Sequence, residues 1–242
     1  MNSRQTPIFP VTGYAIIATP RSGTELLCDA LTSTGLAGKP CEHLYSLNKM
    51  NLEDFNYDSN LYLQHLMHEQ SRASQVFGTK LISHFLREHL ESSPQLETTL
   101  SRFRFVRLIR DDKVGQAISA VIATKLGRWH VRSGADEDVY SSELDQLEIG
   151  AGDLAAVRRK ELTLRSDELF IDRFLRTQPV QPLVISYESL VLDVKNTVSL
   201  VLDFLKIRHS QSIDVSISLK PTSSRISEMI RAQYYLEGCA ER

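Results

Sequence analysis

The sequence predicts an α/β fold in which a mostly parallel central sheet is flanked by helices. Three observations predict it. Short runs rich in β-branched and aromatic residues alternate with helical patterns, and that alternation implies parallel strands joined by right-handed crossovers. The first of these runs, "YAIIA", passes through the one-glycine turn "TPRSGT" directly into an apolar helical stripe. Residues suited to binding or catalysis follow just after the strands, at the carboxyl edge where such sheets hold their ligands.

In chain order, the strands are expected at Tyr14–Ala18, Val76–Ile82 ("VFGTKLI"), Phe103–Ile109 ("FRFVRLI") and Leu183–Tyr187 ("LVISY"). Each is short and bounded by turn or charged residues. The helices are expected where apolar residues recur at i, i+3, i+4 and i+7. Leu26, Leu27, Ala30 and Leu31 form the stripe after the opening turn. Val114, Ala117, Ile118, Val121, Ile122 and Leu126 form a second stripe, and Val194, Val198, Val201, Leu202 and Leu205 a third. The acidic stretch Ser133–Asp153 has no sustained period and reads as a loop or short helix, a candidate lid. Beyond His209 the chain reads as extended and polar, with a helix opening near Ser223 or Ser224, because serine caps well and Pro221 forbids an earlier start.

The 242 residues are read as one domain, 1–242, long enough to bury a core. With 42% hydrophobic and 24% charged residues the composition is that of an ordinary globular protein. A net charge of −2 provides no general field for nucleic acid, so an anion site must be built locally. No run reaches the ~18 apolar residues of a membrane span. The segment "MNSRQTPIFPVTG" lacks an apolar stretch of signal-peptide type. Cys28, Cys41 and Cys239 have neither metal-ligand nor disulfide spacing, which points to reduced thiols and a cytoplasmic location.

In the opening turn, Gly23 lets the backbone bend tightly and approach a ligand closely. The amides from Ser22 to Glu25 would leave the new helix where its dipole favours an anion. The hydroxyls of Ser22 and Thr24 add donors, and Arg21 adds a charge-assisted contact. The pattern GxxxxGK[ST] is absent, so this is not a standard nucleoside-triphosphate loop. A second basic position is visible where the third strand ends in Arg110. On the helix that follows, Gly115 would permit close approach, and Ser119 shares its face with Asp112.

Taken together, these two sites resemble sulfotransferases. "TPRSGTELL" resembles their 5′-phosphosulfate loop and "RLIRDDKVGQAIS" their 3′-phosphate motif. With "GLAGKPCEHLY", "FGTKL" and "ISYESLVLDVKNTVSLVLDFLKI" following the family order from about residue 12 to 207, the chain resembles the bacterial trehalose sulfotransferase-like family. That resemblance implies a P-loop-like three-layer sandwich and a homodimer. It implies 3′-phosphoadenosine 5′-phosphosulfate (PAPS) as co-substrate, no metal, and sulfuryl transfer to a hydroxyl of a carbohydrate or glycolipid. Arg21, Ser22, Gly23, Thr24, Glu25 and Leu26 would then form the 5′-phosphosulfate site, and Arg110 and Ser119 would hold the 3′-phosphate. The family's general base is a glutamate in a G-x-P-x-E segment, which is Glu42 here. Lys220, Ser223 and Arg225, in the segment 209–242, are candidates to close over the nucleotide.

A carboxylate within hydrogen-bond reach of the attacking hydroxyl would remove its proton. Arg21 and Lys80 are the candidates to stabilise charge on the transferred group. His84 is an alternative base, and Trp129 could stack on an adenine or a sugar. Glu25 departs from the pattern: a carboxylate beside a sulfonate repels it unless it turns away or pairs with a base. Two other readings compete. One is a P-loop-like kinase, with Asp111 or Asp112 holding magnesium. The other is a non-catalytic module that binds a nucleotide or a sugar.

Overall fold

The computed structural model describes residues 12–47, 55, 58–131, 135–210, 212–218 and 225–240. Among the described residues, four strands form one sheet, β1 (Thr12–Ala18), β2 (Val76–Ile82), β3 (Arg104–Ile109) and β4 (Leu183–Ser186), in the order β2-β1-β3-β4. All three pairings are parallel, with Ala18 opposite Ile82, Ile17 opposite Arg107, and Ile109 opposite Ser186.

The alternation of side chains along β1 divides the core. Ala15 and Ile17 face a layer built from α3 (Ser59–Ser74), α4 (Ser83–Ser92), α5 (Gln95–Leu100) and the C-terminal half of α8 (Ala151–Arg176). Tyr14, Ile16 and Ala18 face α1 (Thr24–Ser33), α9 (Tyr187–Leu192) and α10 (Val194–Phe204). Helices on both faces of a parallel sheet make the expected three-layer sandwich. A third apolar cluster joins α6 (Lys113–Leu126), α7 (Ala135–Asp145), α8 and α11 (Arg225–Ala240).

The strands follow the sequence expectation closely, and the small differences have local causes. Tyr187 leaves the fourth strand because the Ser186 hydroxyl accepts the Ser189 amide at 3.1 Å and caps a helix there. Phe103 lies in the turn before β3. Two points concern the middle of the chain. Ser133–Asp153 holds the short helix α7, one of the two forms expected for it, and the start of α8, and Tyr140 and Leu144 are buried against α6. The 26-residue helix α8, to which the sequence reading assigned no element, buries Leu154, Val157, Leu164, Ile171 and Leu175. In both helices a few apolar residues are diluted by charged ones, and a narrow seam suffices for packing. The expected contributions of Lys220 and Ser223, and capping at Ser223 or Ser224, lie outside the described residues.

Strand contacts also position the segment before α2 (His43–Leu47). Tyr14 stands opposite Gly78, and its hydroxyl donates to the Ala37 carbonyl at 2.9 Å, fixing the chain that leads to Glu42. A Cβ on Gly78 would lie 2.6 Å from Cζ of Tyr14, inside a fully buried ring. Gly78→Ala is therefore expected to cost about 1–3 kcal/mol of overpacking. Chemical denaturation would measure this, and a loss below ~0.5 kcal/mol would mean the ring is free to move.

Candidate active site

Two residues of the turn after β1, Arg21 (φ 63°) and Gly23 (φ 85°), adopt left-handed backbone. For Arg21 that conformation costs roughly 1–2 kcal/mol, so neighbours must impose it. The principal one is Gln116 of α6, whose fully buried Nε2 donates toward Thr19 Oγ1 (2.8 Å), the Pro20 carbonyl (2.7 Å) and Ser22 Oγ (3.0 Å). Ser22 donates to the Thr19 carbonyl at 2.8 Å and is fully buried. Its hydroxyl therefore holds the turn together instead of pointing outward. A Cβ on Gly23 would overlap the Tyr187 ring, so this position needs glycine for space as well as for conformation. Gly23 is also the N-cap of α1 and offers no side chain to the amides of the first turn. Thr24 is buried, and Leu26 is partly buried against the apolar layer behind α1.

Arg21 donates from Nε to Ser119 Oγ at 2.9 Å and from Nη1 to the Trp129 carbonyl. Burial lowers its pKa, and Arg110 lowers it further. Ser119, expected beside Arg110, thus serves Arg21. Arg110 reaches the same residue from the other side, donating from Nη1 to the Arg21 carbonyl at 3.3 Å. Its guanidinium lies 4.7 Å above the Tyr187 ring, and its buried Nε has no partner among the described residues.

The Arg110 turn is held from both flanks. The Glu188 carboxylate accepts the Asp111 amide at 3.2 Å and the Asp112 amide at 3.3 Å. Asp112 caps α6 by accepting the Gly115 amide at 2.9 Å. It also takes both ends of Arg231, Nη1 at 3.0 Å and Nη2 at 2.6 Å. Hydrogen bonding from Arg231 holds the Asp112 carboxyl below its usual pKa, against the opposing effect of burial. The sequence reading gave Gly115 a close approach to a ligand. Here the space a Cβ would take is filled by Asp112 and Arg231. Arg225 opens α11 and is exposed, and Arg231 is the α11 residue that reaches this turn. Tyr187, Glu188, Gln116 and Arg231 were not singled out in the sequence. A tyrosine or glutamate at a strand end, or a glutamine on a helix, carries no distinguishing pattern.

Beside the opening turn, Lys80 stands in the C-terminal half of β2, only 2% exposed. Cys41 pairs with β2 at Thr79, and its carbonyl accepts the Lys80 amide at 2.8 Å. That short pairing places Glu42 Oε2 3.0 Å from Lys80 Nζ, while Glu25 Oε1 pairs with the same ammonium. Burial alone would lower the Lys80 pKa, but the carboxylates of Glu42 and Glu25 outweigh it and raise the pKa above the ordinary value. The carboxylate that the sequence made a difficulty is therefore paired with a base. His130 Nε2 lies 3.7 Å from Glu25 Oε1. His84 is exposed and packs on Phe85, with ring centroids 4.0 Å apart. Trp129 is 42% exposed. Among the described residues, no group of three or more His, Cys, Asp or Glu side chains is placed to hold a metal ion.

A family model for Stf0 sulphotransferase matches residues 13–235. The chain belongs to the Stf0 sulphotransferase family. Its activity class is accordingly sulfuryl transfer to an acceptor, as the sequence resemblance implied. Similar solved structures include a sulfotransferase from Alicyclobacillus acidocaldarius, 13% identical, TM-score 0.49, covering 93% of this chain and 91% of that one. The sulfotransferase domain from the curacin biosynthetic pathway is 14% identical, TM-score 0.48, covering 93% and 98%. The sulfotransferase domain from the Synechococcus PCC 7002 olefin synthase is 14% identical, TM-score 0.42, covering 97% and 98%. A comparison with curated proteins gave no match.

In this Stf0 sulphotransferase, His43 pins the Glu42 segment. Gln70 Nε2 lies 3.1 Å from His43 Nε2, which makes that nitrogen the acceptor and leaves Nδ1–H to donate to Thr79 Oγ1 at 3.0 Å. Burial lowers the His43 pKa to about 4 from 6.5. The stabilisation from neutral His43 is complete above pH 6.5 and is lost as pH falls to about 4, because the unfolded chain takes up a proton the folded chain does not. His43→Asn should lower stability at neutral pH and flatten the acid limb by up to about 1.4 kcal/mol per pH unit across that window. Urea denaturation at a series of pH values tests this, and an unchanged slope would place the proton on folded His43.

Proposed function

We propose that this sulphotransferase takes the sulfuryl group of PAPS and delivers it to a hydroxyl of a carbohydrate or glycolipid, with Glu42 as general base. The observation that carries the reading is the convergence, at one sheet edge, of the Arg21 turn, the Arg110 turn and the Glu42–Lys80 pair. The residues fit an anionic nucleotide. Arg110 has a buried Nε donor with no partner among the described residues, and the first turn of α1 is capped only by glycine. PAPS supplies the activated sulfuryl group. The first-turn amides and Arg21 would hold its 5′ end, and Arg110, braced by Tyr187 and Glu188, would hold its 3′-phosphate together with Ser119. Lys80 would stabilise charge on the transferred group. Glu42, held on its short pairing with β2, is oriented by the Lys80 ammonium to accept the proton of the attacking hydroxyl.

The chain is read as one catalytic domain, acting in the cytoplasm as a homodimer. The free thiols of Cys28 and Cys41 suit a reducing compartment, and no described helix is long and apolar enough to cross a membrane.

The first test is thermal unfolding with 3′,5′-ADP, with 5′-ADP plus magnesium, and without ligand. At ~100 times its dissociation constant 3′,5′-ADP should stabilise by about 2.7 kcal/mol without metal. Arg110→Ala should abolish most of that shift while sparing the weaker one from 5′-ADP, and equal losses for both would remove Arg110 from the 3′-phosphate. A shift only with 5′-ADP and magnesium would instead favour a kinase. Glu42→Gln should lower turnover by about 10²-fold or more with nucleotide binding intact. Near-normal turnover would move the base elsewhere.

A further inference from the structure

Lys80 carries one positive charge and is claimed by two carboxylates. Its nearly inaccessible ammonium lies between Glu42 Oε2, at 3.0 Å, and Glu25 Oε1. The two acids are not equivalent. Glu42 is 19% exposed and fixed by the Cys41 pairing with β2 and by the His43 anchor. Glu25 is 39% exposed, stands on the first turn of α1, and has a second neighbour in His130, itself 52% exposed, whose Nε2 lies 3.7 Å from its Oε1. A carboxylate on that turn occupies the region where the helix dipole and amides otherwise favour an incoming anion.

We propose that Glu25 is a donor-specificity residue: the counter-ion that holds Lys80 between turnovers and must yield it to the sulfonate, so that the site distinguishes the sulfonated donor from its spent product. This rests on the PAPS reading above. Of the two acids, Glu25 is the one that yields, because it is the more exposed, stands on a helix turn where Glu42 follows a backbone pairing with β2, and has His130 beside it. When it yields, Lys80 keeps Glu42 and remains oriented. The donor brings a sulfonate that competes with Glu25 for the ammonium and is repelled by it. The product 3′,5′-ADP has lost that group and keeps only the inner 5′-phosphate, which makes it the weaker rival of Glu25 for Lys80. Glu25 then recaptures the ammonium as the sulfuryl group departs on the acceptor.

The test is equilibrium binding of PAPS and of 3′,5′-ADP, without acceptor and at fixed ionic strength, to the wild-type protein and to Glu25 variants. Glu25→Gln should tighten PAPS about tenfold or more, with 3′,5′-ADP tightened several-fold less, because the outer sulfonate meets the removed charge more closely than the inner 5′-phosphate does. Glu25→Thr, neutral and smaller, carries the same expectation and guards against a folding defect in one variant. Glu25→Asp keeps the charge and should stay near wild type. Equal shifts for both nucleotides, or weaker PAPS binding in the neutral variants, would overturn the assignment and make Glu25 a structural partner of Lys80. A wild-type protein that binds neither nucleotide would overturn the donor reading itself, and this inference with it.

Discussion

The site depends on one topological constraint: β1 is paired in parallel on both sides. Parallel strands end at the same edge, so the chain reversals after β1, β2, β3 and β4 emerge side by side. The turn after β1 brings Arg21, the C-terminal half of β2 brings Lys80, the end of β3 brings Arg110, and the end of β4 brings Tyr187 and Glu188. Strands buried on both faces cannot slip by one residue without exchanging their two apolar sets, so the register that makes the core also sets the relative height of these groups.

At that edge the charged groups are held in place by neighbours from distant parts of the chain. Arg21 keeps a left-handed backbone because Gln116 grips the turn, and its side chain is tied to Ser119 and Trp129. Arg110 is held over Tyr187, which also fills the space beside Gly23, so one ring supports both turns. Glu188 and Arg231 fix the two residues after Arg110 from opposite flanks. Such preorganisation lets charged groups stabilise an anion without first rearranging, which is where a transferase gains most of its rate. Lys80 shows the opposite balance: burial opposes its charge, and two carboxylates restore it.

The same neighbours give several of these residues partners within the protein that their positions in the chain do not disclose. Ser22, Gly115 and Ser119 each have the chemistry of a ligand contact, and each is used within the protein. Ser22 closes its own turn, Gly115 makes room for Asp112 and Arg231, and Ser119 receives Arg21. A hydroxyl or a glycine near a binding turn does not reveal whether its partner is a ligand or another side chain. Glu25 shows the reverse, since an acid that looks wrong beside an anion is explained once Lys80 is seen against it.

By itself the sequence determined the strands, the stripes of α1, α6 and α10, and the two basic turns. Those features rest on local periodicity and on turn chemistry, which short stretches carry in full. The order of the motifs also determined the family. Helix α8 was not legible and α7 only as an alternative to a loop, because their buried seams are narrow and interrupted by charged residues. The tertiary structure alone decided which groups share a partner. Lys80 belongs to both Glu25 and Glu42, Asp112 to a helix more than a hundred residues away, and the opening turn to Gln116. Those pairings are set by sheet register and helix packing, which bring together side chains that have no fixed spacing along the chain.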